Sequence, residues 1–367
     1  MRYVSALGLV LALLLPGCYL GHGWGDEVPS DGVSPPSSDR GPTSDPTSTT
    51  SDPTSDGTSG PTSSGVPEPD TCAFVDVAGG FNRGVAALHA DGSVWGWAWE
   101  EPVRRIEGLV DVVQMDAHDK YVCGVHESGA VSCGLLFDDY ASLELTQGPV
   151  PEIEDAVSVT VGEFHACAVL ADGRVACWGY NYEGVLGIEA DWEIYPEPVM
   201  VPGITDAVQL ATARDHTCAL LADGSVTCWG YLTGATEAPP DLPPLRELVM
   251  GDEHACGIAR DGGVRCWGSN VYGQRGDASL ARLDAVHLVA GTSHTCARLA
   301  SDEVLCWGSN EAGELGRDGG SSSSPVPLPG AVRAIAVTAG HHGTCLLDPT
   351  CEVRCFGWAP SRSLSGK

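Results

Sequence analysis

The sequence predicts an all-β fold, a closed radial array of seven repeats preceded by a long polar segment. Three observations predict it. One motif recurs from residue 84 almost to the C-terminus. Twelve cysteines fall into six pairs, each ten residues apart. Each copy is built around a turn flanked by alternating apolar and small residues, the pattern of a β-hairpin.

The clearest copy is His165-Ala166-Cys167-Ala168-Val169-Leu170-Ala171-Asp172-Gly173-Arg174-Val175-Ala176-Cys177-Trp178-Gly179. It returns at His216–Gly230, His254–Gly268 and His294–Gly308, with weaker copies around Tyr121 and Gly343. An earlier copy, Gly84–Ala98, keeps Asp91-Gly92 and Trp97 but carries Ala86 and Gly96 at the two cysteine positions. Both cysteines are lost together, as expected if they face each other across a hairpin. Seven copies at a spacing of about 40 residues point to a β-propeller.

The hairpin chemistry is local. If Cys167 lies opposite Cys177, the register is symmetric about Asp172, leaving Ala171-Asp172-Gly173 as the loop. A three-residue loop needs a left-handed residue at its end, which glycine accepts. Directly opposed strand residues lie within disulfide reach. The expected staples are therefore Cys123–Cys133, Cys167–Cys177, Cys218–Cys228, Cys256–Cys266, Cys296–Cys306 and Cys345–Cys355. Zinc is the competing use of paired cysteines, but it favours clusters such as C-x-x-C, and none occurs. No metal site and no cofactor is expected. Disulfides in turn imply an oxidising compartment.

Three copies continue into Trp178-Gly179-Tyr180-Asn181 to Gly187, Trp267-Gly268-Ser269-Asn270 to Gly276, and Trp307-Gly308-Ser309-Asn310 to Gly316. Histidine, an apolar run, Asp-Gly, Trp-Gly-x-Asn and a closing glycine motif together resemble the regulator of chromosome condensation repeat. The resemblance runs from residue 72 to about 358 and implies a seven-bladed propeller of four-stranded antiparallel blades. It implies little about function, because one fold serves many. A secreted bacterial β-lactamase inhibitor protein shares the fold, so inhibition of a hydrolase is one form that recognition could take.

Propellers of this kind usually complete one blade with strands from both chain ends. The last repeat lacks a segment like Pro198-Val199-Met200-Val201, so Val66-Pro67-Glu68-Pro69 is expected to supply its missing strand. Cys351 replaces the turn glycine of the last hairpin, and Cys72 lies in the connection entering the first blade. Those two connections share a face of the disc in such a blade, so a Cys72–Cys351 disulfide is expected to lock the ring. The propeller then spans 66–360, with a C-terminal tail over 361–367.

The N-terminal part reads differently. Arg2 and the apolar stretch Val4–Leu15 form an export signal too short to span a bilayer comfortably. Leu15-Pro16-Gly17-Cys18 resembles the lipobox of bacterial lipoproteins. That resemblance implies a signal peptide over 1–17, lipidation of Cys18 and a place in the bacterial cell envelope, at the outer membrane. An ordinary cleaved signal, leaving Cys18 as a free thiol, is the competing reading. Residues 18–65 are rich in Ser, Thr, Pro and Asp and offer almost nothing to bury, so a disordered tether is expected.

Formal net charge is −30 over 367 residues. That argues against nucleic acid, whose phosphates demand a basic footprint, and against charge-driven docking on anionic lipid. Contact with the membrane is expected through the lipid anchor only, and the chain is expected to be monomeric.

His165, His216, His254 and His294 occupy one repeat position. A ring of metal ligands is one reading, and buried histidines satisfying backbone groups is the expected one. Residues that break the repeat are better binding candidates. The longest interval between repeats holds Tyr180, Tyr182, Asp191, Trp192, Glu193 and Tyr195, and a neighbouring interval holds Phe137, Asp138, Asp139 and Tyr140. Aromatics mixed with carboxylates suit a protein hot spot or a glycan surface; the competing reading is a loop packing its own aromatics. The expectation is a non-catalytic module recognising a protein or an envelope glycan. A hydrolase working through Asp138/Asp139 or Asp191/Glu193 is the rival class, although no G-x-S-x-G, P-loop or H-E-x-x-H motif is present. Guanine-nucleotide exchange, known in the eukaryotic branch of the family, ranks last because export separates this chain from an intracellular GTPase.

Overall fold

A computed structural model describes residues 72–365, apart from 82–83, 100, 138–144, 146, 232–236 and 332. Seven antiparallel sheets follow one another along the chain, each built from consecutive strands. Blades 1, 2, 3, 6 and 7 have four strands. In blades 4 and 5 three strands pair among the described residues. The cause is visible in both. After Val226–Gly230 the chain runs through Pro239-Pro240 and Pro243-Pro244, and proline cannot donate to a ladder. After Val264–Gly268 the outer position is taken by a short 3₁₀ helix, Ala278–Arg282, capped by the Asp277 side chain accepting from Ser279 N. The segments expected to be an export signal and a tether, with Cys18 and Val66–Pro69, lie outside the described residues, as do Asp138, Asp139 and Tyr140. No helix among the described residues is long and apolar enough to cross a membrane.

The hairpin register is the expected one. Cys167 pairs with Cys177, and Leu170 N donates to Arg174 O at 2.9 Å, leaving Ala171-Asp172-Gly173 as the loop with Gly173 at φ 81°. All six hairpin cysteine pairs are bonded, with Cα separations of 4.0–4.1 Å. In the first blade Ala86 and Gly96 face each other in the same register.

There is no single central core. Apolar burial is divided into seven clusters, one at each junction between neighbouring blades. A blade is apolar on both faces and cannot bury either alone, so each stabilises its neighbours and the ring must close. Trp97, Trp178 and Trp307 are fully buried in these layers. The indole N–H groups of Trp229 and Trp307 each donate to the preceding blade, to Val185 O and Gln274 O, both at 2.9 Å.

Polar groups seal the same junctions. Gln114 donates to Val159 O and accepts from Val159 N, and Gln209 does the same to Leu248. Asp116 accepts from Val161 N at 2.8 Å and Thr160 Oγ1 at 3.0 Å. It lines an axial channel enclosing about 320 Å³, and burial pushes its carboxyl up to about 6.

The repeat histidines are buried, and three of them reach a threonine hydroxyl across a blade junction. Nε2 of His165, His254 and His294 lies 2.8 Å from the hydroxyl of Thr217, Thr295 and Thr344, each in the next blade. A Cβ on Gly162, Gly251 or Gly291 would sit 2.3–2.5 Å from the nearest ring carbon of these histidines, which is why the Gly-x-x-His spacing recurs. Blade 5 carries Ala255 where blades 4, 6 and 7 have threonine, and Nε2 of His216 has no partner among the described residues. Thr217→Val is therefore expected to cost about 1–3 kcal/mol by stranding the His165 nitrogen. Urea unfolding would read it, and an unchanged midpoint would show that the cross-blade bond contributes nothing.

Ring closure corrects one expectation and upholds another. The fourth strand of the last blade is Arg362–Ser363, paired with Val353 and Glu352, so these two residues belong to the propeller rather than to a tail. The chain end reaches this edge with its own backbone, and the blade needs no strand from residue 66 onward. Trp97 N–H donates to Pro360 O at 2.9 Å, repeating between blades 7 and 1 the bond made at other junctions. Cys72 and Cys351 are bonded, with Cα atoms 5.0 Å apart.

Candidate binding face

In a meandering blade the connection between strands one and two and that between strands three and four leave by the same face. The residues that broke the repeat converge there. Strand Val175–Tyr180 of blade 3 ends at Tyr180, whose N–H donates to Phe164 O at 2.9 Å. The chain then makes a one-turn 3₁₀ helix, Tyr182–Gly184, and returns through Ile194–Met200.

Asn181, fully buried, holds this loop together. Its Nδ2 donates to Glu189 O at 2.8 Å and to Asp191 Oδ1 at 2.9 Å, and its Oδ1 accepts from Leu186 N at 3.3 Å. Asn310 does the same work in blade 6, accepting from Leu315 N and donating to Arg317 O and Gly319 O. The asparagine of Trp-Gly-x-Asn is thus a loop organiser. Its fixed place three residues after the tryptophan was the signal for that role.

Aromatic rings build the surface above. Tyr180 stacks on Tyr182 at 5.3 Å, and Trp192 stands against both at 6.4 and 6.3 Å. Phe164, from the connection between the first two strands, meets Tyr182 edge-on at 5.9 Å. The Tyr182 hydroxyl donates to Arg214 O at 3.0 Å and to the Asp215 carboxylate, both in blade 4. Burial and the Asp215 charge raise its pKa further above the ordinary phenol range. Arg214 in turn pairs with Glu163 at 2.8 Å. Tyr195 donates to Asp191 Oδ2 at 2.5 Å, which holds the Asp191 carboxyl below the usual range, helped by Asn181. A shallow depression is lined by Tyr180, Trp192, Glu193 and Ile194.

The loop aromatics divide by burial. Tyr180, Tyr182 and Tyr195 are partly buried and tied into the loop, whereas Trp192 is 60% exposed and Ile194 51%. Trp192 also takes left-handed backbone, φ 61°, a conformation that costs a bulky residue about 1–3 kcal/mol. Phe137 is a correction: it is 8% exposed and packs in the core between blades 1 and 2 beside Leu136 and Ile106, leaving it unable to present a surface. Ile194, Phe164 and Arg214 were missed, the last two because they belong to the repeat's ordinary connections and carry no anomaly in spacing. No group of three or more His, Cys, Asp or Glu suited to a metal ion occurs among the described residues.

The comparisons agree with this architecture. The Regulator of chromosome condensation (RCC1) repeat is matched over residues 156–185, 246–274 and 285–314, and in a second form over 172–220 and 301–347. Protein pim1 of Schizosaccharomyces pombe is 30% identical over 217 residues, 47% of this chain and 39% of that protein. Human Regulator of chromosome condensation is 32% identical over 130 residues, 33% of this chain and 31% of that protein. The chain thus matches about a third to two fifths of the length of these relatives. Among solved structures, human WBSCR16 aligns with a TM-score of 0.61 at 19% identity, covering 75% of this chain and 86% of that one. Prp20p of Saccharomyces cerevisiae aligns at 0.57 and 17% identity, covering 78% and 82%. The chain is therefore a seven-bladed propeller that carries RCC1 repeats over residues 156–220, 246–274 and 285–347.

Proposed function

We propose that this propeller is a non-catalytic protein-recognition module displayed on the bacterial cell envelope, with the blade 3 loop at the centre of its contact surface. One observation carries the reading: Trp192 and Ile194 stand exposed on a scaffold already held rigid by Asn181, Tyr182 and Asp191. Exposed apolar side chains on a preorganised base lose little entropy on binding, and tryptophan is prominent among interface hot spots. Asp191 does not suit the general-acid role of the hydrolase reading, which needs a raised pKa, because the Tyr195 and Asn181 hydrogen bonds hold this carboxyl low. The envelope location rests on the Leu15–Cys18 segment and the cysteine-rich composition.

Affinity capture from a solubilised envelope extract tests the reading, using the full chain beside a Trp192→Ala/Ile194→Ala variant. A protein retained by the first and reduced at least tenfold with the second is the expected result. Equal retention by both would overturn the choice of surface, and retention of a glycan alone would overturn the choice of partner. In the same extracts Cys18→Ala should move the chain from the membrane to the soluble fraction. An unchanged distribution would remove the anchor.

A further inference from the structure

The residue directly after each strand-three Gly, or its counterpart, can be placed by one recurring hydrogen bond. The N–H of Tyr180, Tyr231, Ser269, Ser309 and Trp358 donates to the connection between strands one and two of the same blade, at 2.7–2.9 Å. Leu136 makes the same bond to Lys120 O, and Trp99 follows Ala98, the register equivalent of Gly179. These seven residues are therefore one structural position, repeated once per blade on one face of the disc.

Their chemistry is not uniform. Blades 5 and 6 keep serine, and Ser309 is buried, its hydroxyl 3.3 Å from Glu314. Blade 2 has a fully buried leucine. Blades 7, 1, 3 and 4 carry Trp358, Trp99, Tyr180 and Tyr231, and three of these are 58%, 51% and 52% exposed, Tyr180 being partly buried. Folding does not require large aromatics there, since serine serves in blades 5 and 6. The four aromatics fall within one arc, from blade 7 through blade 1 to blade 4, and Trp192 stands inside it.

The supports of this arc are rigid at its far end too. The Arg362 guanidinium donates to the carbonyls of Ala98, Trp99 and Glu101, fixing the backbone beneath the Trp99 ring. Trp358 packs edge-on against His342 at 5.1 Å. The surface around the rings is acidic: Glu101, Glu183, Asp191 and Glu193 are exposed beside them. The nearby cation Arg214 is already paired with Glu163 and Asp215.

We infer that this aromatic crescent docks an extended basic polypeptide, whose arginine and lysine side chains lie over the indole and phenol rings while the carboxylates around them supply the counter-charge. The inference rests on the recognition reading above and adds to it the partner's chemistry and a second contact region on blades 7 and 1. Cation–π contacts favour tryptophan and tyrosine over aliphatic residues, and a chain of net charge −30 attracts cationic segments. An extended segment accounts for several platforms strung around one rim, where a compact ligand would occupy a single one.

The test uses the full oxidised chain with poly-L-arginine as probe, and dextran and poly-L-glutamate beside it. Tryptophan fluorescence and calorimetry report binding. The expected result is saturable binding of poly-L-arginine that quenches fluorescence. Affinity should fall at least tenfold in Trp99→Ala/Trp358→Ala, with Val271→Ala, exposed on blade 5, unchanged. Equal affinity in all three proteins would reduce the effect to bulk charge and overturn the crescent. Binding of dextran instead would assign the rings to glycan and overturn the basic partner. The recognition reading fails separately: if an envelope protein is captured through Trp192 and Ile194 but neither basic charge nor Trp99 and Trp358 matters, that reading stands and this one falls.

Discussion

Lowering the pH from 7 to 5 is expected to destabilise the propeller by several kcal/mol and to lower its melting temperature by about 15 °C. The cause is the set of buried histidines. Burial, joined by neighbouring histidines for some, pushes His118, His165 and His254 down to about 3 and His216 and His294 down to about 4. In the unfolded chain each titrates near 6.5. A native pKa below the unfolded one means that stability is complete above about 6.5 and drains away as pH falls toward 4, because only the unfolded chain takes up protons. Across pH 7 to 5 each histidine withdraws about 2 kcal/mol by that linkage, about 9 in all.

Asp116 works in the opposite sense. Its native carboxyl, raised to about 6, takes up a proton that the unfolded chain does not, returning about 1 kcal/mol over the same interval. Asp76, Glu163 and Asp252 are also raised by burial and oppose the histidines in part. The sum still favours unfolding in acid. Calorimetric melts at pH 7, 6 and 5 would check it. A melting temperature that holds or rises on acidification would mean that the cross-blade histidines are not kept neutral.

The second large effect is expected from the ring-closing disulfide. Cys72 and Cys351 are 279 residues apart, against ten for every hairpin pair. In chain-entropy terms a bridge of that span stabilises by about 5–6 kcal/mol and a hairpin bridge by about 3. Cys351 also sits at φ 62°, in the turn position that the other hairpins with Asp-Gly give to glycine. The informative variant is therefore Cys72→Ala/Cys351→Gly. It removes the covalent link while restoring the residue best suited to the turn, which recovers up to about 1 kcal/mol. A net loss of about 4–5 kcal/mol in guanidinium unfolding is expected, beyond that of Cys218→Ala/Cys228→Ala. A loss no greater than the hairpin variant's would mean that blades 7 and 1 close fully through Trp97, Arg362 and their shared apolar layer.

Much of the fold was legible because it is local. The hairpin register followed from two cysteines and a glycine within fifteen residues, and six disulfides followed from the register. Closure was legible only in part. Cys72 and Cys351 announced themselves by breaking the pattern, but the short strand Arg362–Ser363 carries no periodicity, and its place is set by the free edge of Glu352–Gly357. The histidines could be read as buried, yet their threonine partners lie 41 to 52 residues away. That pairing exists only once adjacent blades are in register.

The candidate surface divides along the same line. Its membership in the long interval after Trp178 is a property of the sequence. Which aromatic faces outward is not. Phe137 and Trp192 are both large apolar residues in irregular loops, but one completes a layer between blades 1 and 2 while the other finds no neighbouring face to cover it. The crescent is the same case at larger scale: Trp99, Tyr180, Tyr231 and Trp358 are as much as 259 residues apart in the chain. By itself the sequence determined the repeat, its hairpins and its staples, because each depends on contacts made within a few residues. The tertiary structure alone decided what is buried between blades and what shares a face, because both depend on the ring closing.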